Sequence, residues 1–202
     1  NAIKVALSIK KTAKVGVSFE GAFHGRTLGA LSCTNAKRVH KQHFFTFPMH
    51  RLPFNDSMST AFDRLLNQEG SADDIGFVIV EPVQGEGGYH IAPPDMMRDL
   101  SRLCRKHCIP LIVDEVQTGM GRSGKWWAYQ HYDLRPSIIA CAKALQVGAV
   151  LSRKEYFPRE PGALSGTWGG GHVLDLALGL ETMHIIRDEK LLGHVTRMGK
   201  YL

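Results

Sequence analysis

No stretch of the chain strings together 18 apolar residues, and no basic segment leads into an apolar one, so nothing in these 202 residues argues for membrane insertion or secretion. Cysteine is sparse. Cys33 and Cys141 lie in apolar contexts, while Cys104 and Cys108 are four apart in a helical pattern, which is not a zinc spacing. This usage points to a reduced, cytoplasmic protein. His40 and His43 have no companion ligands nearby, so no metal is expected. The net charge is +6, but the basic residues are dispersed, with only a loose excess between Lys4 and Lys14 and between Lys37 and Arg51. The interleaved aromatics of a nucleic-acid platform are missing, which leaves solvated surface or attraction for small anions. There is no internal repeat and no low-complexity linker.

Two nucleotide motifs fail on context. LIVDE, from Leu111, fits the magnesium strand of a P-loop ATPase, but the nearest phosphate-loop candidate, Gly25-Arg26-Thr27, lacks the lysine and a first glycine at the right distance. Gly119, Gly121 and Gly124 match the dinucleotide fingerprint by letter. They do not directly follow a strand or open an apolar helix, and no acid follows at the ribose-binding distance.

What is present is a set of apolar runs separated by helical patterns. The spacing predicts a first helix with Ile3, Ala6 and Leu7 on one stripe, a strand over 14–19, and a glycine-rich turn, EGAFHGRTLGALS, from which Phe23, His24 and Arg26 project. A long surface loop is expected over 37–55. An amphipathic helix follows over 57–66, with Ala61, Phe62, Leu65 and Leu66 inward. Ile75 to Val80 reads as a buried parallel strand ending on Glu81, with Glu86 in the glycine-bracketed loop beyond. A helix over 94–107 turns Met97, Leu100, Leu103 and Cys104 inward, and Leu111 to Val113 is a buried strand. Ile138 to Ala142 is another strand, Val147 to Leu151 a third, and Leu174 to Ile186 a long helix buried on much of its circumference. Strands alternating with helices imply a doubly wound, mostly parallel sheet.

Asp114 and Glu115 sit at the carboxyl end of one strand and Lys143 at the end of another, where open α/β sheets bind ligands. A lysine desolvated at such a place has a lowered pKa and becomes a nucleophile. Joined to the aromatic-bearing glycine loop and to the phosphate-type loop Gly166-Thr167-Trp168-Gly169-Gly170, these residues supply what pyridoxal phosphate needs. They offer an amine for its aldehyde, a carboxylate for its ring nitrogen, an aromatic face, and backbone donors for its phosphate. Each feature alone is more often structural; together they are specific.

The segments FHGRTLGALS, IVEPVQGEGG, LIVDEVQTGMGRSG, CAKAL and GTWGG, in this order, resemble the class III, or ω-amino acid, aminotransferases of the fold-type I pyridoxal phosphate enzymes. The resemblance runs over essentially all 202 residues and implies a three-layer α/β/α large domain, with a helix-flanked and mostly parallel sheet. It implies that Lys143 is the Schiff-base lysine and proton carrier, and that Asp114 pairs with the pyridinium nitrogen. Gln117 then bonds the ring 3-hydroxyl, with Glu81 in the ring-side network. Phe23 stacks on the ring with His24 beside it. Arg26 binds a substrate carboxylate, and Glu86 is the glutamate that screens an arginine and swings aside for 2-oxoglutarate. Thr167 reaches the phosphate of a partner subunit in a homodimer. The implied reaction is ping-pong transfer of the terminal amino group of 4-aminobutyrate or lysine to 2-oxoglutarate.

Three departures stand out. Ala144-Leu145-Gln146-Val147-Gly148 replaces a glycine-rich stretch, and the segment up to Thr167 is short; with GTWGG this is closer to lysine ε-aminotransferases. His172 stands where asparagine caps a helix in the family. The family's serine/threonine-rich phosphate loop and its small C-terminal domain are not found in the chain, so residues 1–202 are expected to be an incomplete large domain, inactive alone. A racemase, aminomutase or decarboxylating transaminase of the same fold, or a non-catalytic scaffold, remains an alternative.

Overall fold

A computed structural model describes residues 1–166 and 171–202. In chain order the elements are α1 (Ala2–Ile9), β1 (Val15–Phe19), α2 (Leu28–Cys33), β2 (Met49–Leu52), α3 (Met58–Arg64), β3 (Ile75–Val80), β4 (Val83–Gln84), β5 (His90–Ile91), α4 (Pro94–Lys106), β6 (Leu111–Asp114), β7 (Ile138–Cys141), β8 (Ala149–Ser152), α5 (Val173–Asp188) and α6 (Leu191–Tyr201). Six strands form one sheet in the order β2-β1-β3-β6-β7-β8; β4 and β5 make a separate hairpin. The pairings from β2 through β7 are parallel, and β8 closes the edge antiparallel to β7. The sheet is therefore mostly parallel, as expected.

Side-chain alternation explains the layers. All six residues of β3 are buried. Val78 and Val80 face a cluster with Phe62, Met58, Met97 and Leu100 of α3 and α4, whereas Phe77 and Ile79 face Ala2, Val5 and Ala6 of α1. Leu111 and Val113 of β6 join the first cluster and Ile112 the second. A strand covered on both faces cannot alternate apolar with polar, which is why IGFVIV reads as a continuous run. Phe62 is fully buried in the larger cluster. Phe62→Ala is expected to cost about 3–5 kcal/mol, read as a lower urea midpoint at unchanged slope. A loss below about 1 kcal/mol would place Phe62 outside the core.

Several elements depart from expectation. The buried stripe of α1 is Ala2, Val5 and Ala6, and Leu7 is exposed. The regular part of α3 ends at Arg64, and a wider turn carries the chain on. The expected loop over 37–55 contains β2, which pairs with β1 from Gly16↔Met49 to Phe19↔Leu52. Its sequence, MHRL, mixes polar with apolar residues because an edge strand is paired on one side only; Leu52 enters the core, and Arg51 donates to the buried Ser18 hydroxyl at 2.8 Å. The last strand runs over Ala149–Ser152 rather than 147–151. The largest correction is α5, in which only Gly179 and Ile186 are buried, while Leu174, Leu176, Leu178 and Leu180 are exposed. A helix apolar all round needs cover on every side. Here it has close cover where Gly179 sits against the Leu145 carbonyl, just past Lys143. Among the described residues no helix is long and apolar enough to cross a membrane.

Candidate active site

Register places the two key strand ends together. Asp114 of β6 pairs with Ala140 of β7, and the Glu115 amide donates to the Ala140 carbonyl at 2.8 Å, so Lys143 emerges beside Asp114 at the carboxyl rim of the sheet. Asp114 is buried. Its Oδ1 accepts the Val116 amide at 3.0 Å, and its Oδ2 lies 2.8 Å from Nδ1 of His24. With Asp114 ionised, His24 donates from Nδ1. The His24 side chain is only 1% exposed, and its Nε2 has no hydrogen-bond partner among the described residues. The turn bearing His24 is fixed by the Thr34 hydroxyl, which accepts the His24 amide at 3.0 Å and donates to the Gly25 carbonyl at 2.9 Å.

Glu81, at the end of β3, is also buried. Its two oxygens accept the Phe23 amide at 2.9 Å and the Gly85 amide at 3.2 Å, so it clamps the aromatic-bearing turn to the loop after β3. Burial raises its carboxyl above the usual range; the nearby His24 and the two amides pull it back. The ring of Phe23 meets His40 edge-on at 5.5 Å.

Lys143 adopts φ 49, in the left-handed region. That region costs an L-residue roughly 1–2 kcal/mol, and such strain concentrates at functional sites. Its Nζ donates to Gln117 Oε1 at 3.0 Å. The side chain is exposed, contrary to the expectation of a desolvated lysine, because nothing in the described chain covers its outer side. Phe23, His24, Glu81, Asp114, Gln117 and Lys143 line one cavity of about 130 Å³. A Cβ at Gly85 would push the Gln117 side-chain amide out of the place where it meets Lys143.

Of the remaining expected residues, Arg26 is exposed and lines no described cavity. Glu86 is exposed, lies 3.6 Å from Lys37, and does not line Lys143's cavity. Thr167 lies outside the described residues. His172 does begin α5 without a side-chain cap, as the missing asparagine implied.

Sequence reasoning left Glu115 without a role. It is 1% exposed and accepts three hydrogen bonds: from the Thr118 hydroxyl at 2.6 Å and from the amides of Ala128 at 3.0 Å and Tyr129 at 2.7 Å. It thus ties down both ends of the loop that carries Gln117. The signal was the Asp-Glu pair itself. Successive strand residues point to opposite faces, so only one can face the site, and the other must find partners elsewhere. Burial raises the Glu115 carboxyl, with the three donors opposing. The folded state therefore holds this proton more tightly than the unfolded one, so the group's share of stability is greatest in acid and falls as pH rises through the raised pKa. Glu115→Ala should lower stability by about 2–4 kcal/mol, since three buried donors lose their acceptor. Melting of wild type and variant across pH 4–8 checks both: the variant should melt lower throughout and lack this downward contribution.

The donor set fits pyridoxal phosphate: an amine for the aldehyde, a buried carboxylate for the ring nitrogen, an amide for the hydroxyl, and an aromatic wall. The sequence profile of the family described as Aminotransferase class-III matches residues 1–202. The chain belongs to the class III aminotransferases. Among class III relatives, acetylornithine aminotransferase of Aquifex aeolicus is 38% identical over 190 residues, covering 92% of this chain and 48% of its own. Mitochondrial 4-aminobutyrate aminotransferase of Mus musculus is 34% identical, covering 92% of this chain and 41% of its own. The structure of lysine aminotransferase from M. tuberculosis in the internal aldimine form superposes with a TM-score of 0.89 at 29% identity, covering all of this chain and 53% of that one. Ornithine aminotransferase from Toxoplasma gondii, with pyridoxal phosphate at partial occupancy in its active site, gives 0.84 at 29% identity, covering 99% of this chain and 48% of that one. The class III chain described here thus spans about half the length of the relatives it matches. Its sheet and flanking helices are those of the fold-type I large domain.

Proposed function

We propose that the protein to which this chain belongs transfers the terminal amino group of an ω-amino acid, 4-aminobutyrate or lysine, to 2-oxoglutarate, using pyridoxal phosphate held at the Lys143 cavity. The observation that carries this is the convergence on one cavity of a strand-end amine, the amide that orients it at 3.0 Å, and a buried carboxylate held by His24. The relatives named above act on acetylornithine, 4-aminobutyrate, lysine and ornithine, all of which carry an amine away from the α-carbon.

When bound, pyridoxal phosphate supplies an electron sink for the carbanion formed at the substrate carbon. The chain's residues do the rest. Lys143 Nζ holds the cofactor and then carries the proton from the substrate carbon. Asp114 keeps a negative charge against the ring nitrogen, and His24 holds that carboxylate in place. Gln117 orients both the lysine and the ring hydroxyl, Phe23 packs against the ring face, and Glu81 keeps the Phe23 turn and the Gly85 loop in register. Arg26 takes a substrate carboxylate as a bidentate fork. Glu86 screens a second cation during the donor half-reaction and leaves for the oxo acid. Thr167 serves the phosphate of a partner subunit in a homodimer.

The test is an absorbance spectrum of the cofactor-loaded intact protein, with 4-aminobutyrate and lysine added in separate cuvettes. One donor should bleach the visible band, and 2-oxoglutarate should then restore it. A band unmoved by either donor would refute the proposed donors, and failure of 2-oxoglutarate to restore it would refute the acceptor.

A further inference from the structure

A second cleft, of about 290 Å³, opens at the opposite rim of the sheet. It lies where β6 begins at Leu111 and where Ser137 leads into β7, so it stands at the far ends of the two strands that finish near Asp114 and Lys143. Its wall is apolar, with Ile109, Leu111 and Tyr156, and its rim bears Arg105, Arg135 and Cys108. Ile109 and Leu111 are buried, while Arg105, Arg135 and Cys108 are exposed. Neither guanidinium has an acidic partner among the described residues, although elsewhere arginines take acids, as Arg98 takes Asp95 and Arg102 takes Asp99. Two unpaired guanidiniums above an apolar wall suit a carboxylate, sulfonate or phosphate attached to a ring or short chain. The volume lies at the lower end of ligand pockets, roughly 300–1,000 Å³, and so limits the occupant to a small molecule.

We propose that this cleft is a binding site for a small anion with an apolar body, held by Arg105 and Arg135. Nothing in the proposed transamination uses it, and no residue lining it lines the Lys143 cavity.

Cys108 provides the probe. It stands at the cleft mouth, and burial pushes the other thiols up, Cys33 and Cys104 to about 12 and Cys141 to about 11, which leaves them inert at neutral pH. The intact protein would be treated in low salt with dithiobis(nitrobenzoate), an anionic aromatic disulfide, and in parallel with neutral dithiodipyridine. In both, the Cys108 thiolate attacks the reagent's disulfide, whose S–S bond breaks as a mixed disulfide forms and one aryl thiolate leaves. The rate ratio of anionic to neutral reagent should exceed that of free mercaptoethanol by about fivefold or more, and salt should lower it. The rates are those of the labelling lost on Cys108→Ser; the Arg105→Gln, Arg135→Gln double variant should return their ratio to the mercaptoethanol value. Separately, 2-naphthoate should slow the neutral reagent in wild type but not in the double variant, whereas naphthalenemethanol should not slow it. A ratio equal to that of mercaptoethanol, one unmoved by the arginine changes, a Cys108 that neither reagent labels, or no protection by naphthoate would overturn the proposal.

Discussion

Lys143→Ala is expected to lower turnover by roughly 10³-fold or more while leaving the fold intact. The argument rests on the cavity's composition. Its lining contains one primary amine, that of Lys143, and no neighbour can replace it as nucleophile. The general-base role alone is worth about 10²–10⁴-fold, and the loss of covalent attachment falls on the same residue, so the two losses overlap rather than multiply. The fold should not notice. Lys143 is exposed and, among the described residues, makes one side-chain hydrogen bond, to Gln117, and alanine bears the same left-handed backbone as lysine did. The measurement pairs a thermal melt with single-turnover kinetics on the cofactor-loaded protein, followed by exhaustive dialysis. An unchanged melt, lost visible absorbance and partial rescue by added methylamine would assign the amine to Lys143. Turnover within tenfold of wild type, or colour that survives dialysis, would remove Lys143 from the mechanism.

The sheet was legible in the sequence wherever burial was two-sided. IGFVIV and LIV are continuous apolar runs because helices cover both faces of β3 and β6, and the strand ends named Asp114, Glu81 and Lys143 by position alone. Legibility failed where one partner made the decision. β2 is defined by backbone pairing to β1, and its letters MHRL carry no period of their own. The apolar letters of α5 announced burial, yet which surface covers them is a tertiary fact. At the site, spacing could bring His24 near the ring-binding turn but could not reveal that its imidazole reaches Asp114, 90 residues away. Glu115 failed in the opposite way. Its position beside Asp114 is plain in the sequence, but its partners lie across the loop at Thr118, Ala128 and Tyr129, and no local pattern marks a loop closed by three hydrogen bonds to one carboxylate.

Asp114→Asn should cost roughly 10³-fold in the donor half-reaction, about 4 kcal/mol, with cofactor binding largely kept. The substitution preserves shape and an oxygen able to accept from His24, removes the charge, and sets an NH2 donor against the Val116 amide where Oδ1 accepted. In the proposed mechanism that charge would hold a proton on the ring nitrogen. Each pKa unit lost there is worth about 1.4 kcal/mol, so a three-unit fall accounts for the whole effect. In the same mechanism His24 would act on that proton indirectly. Its Nδ1, 2.8 Å from Oδ2, holds the carboxylate while the Val116 amide holds Oδ1, so both oxygens are fixed before the ring arrives. His24→Gln alone should therefore slow the half-reaction less, by about tenfold, through a carboxylate that is charged but free to turn. The two changes should not add. If His24 works only through the charge on Asp114, removing it from the Asp114→Asn protein costs nothing further, and the double variant matches the single one in half-reaction rate. Full additivity would mean that His24 touches the reaction by a second route, through the buried Nε2 that has no partner among the described residues. A wild-type rate in Asp114→Asn would show that another group carries the ring proton.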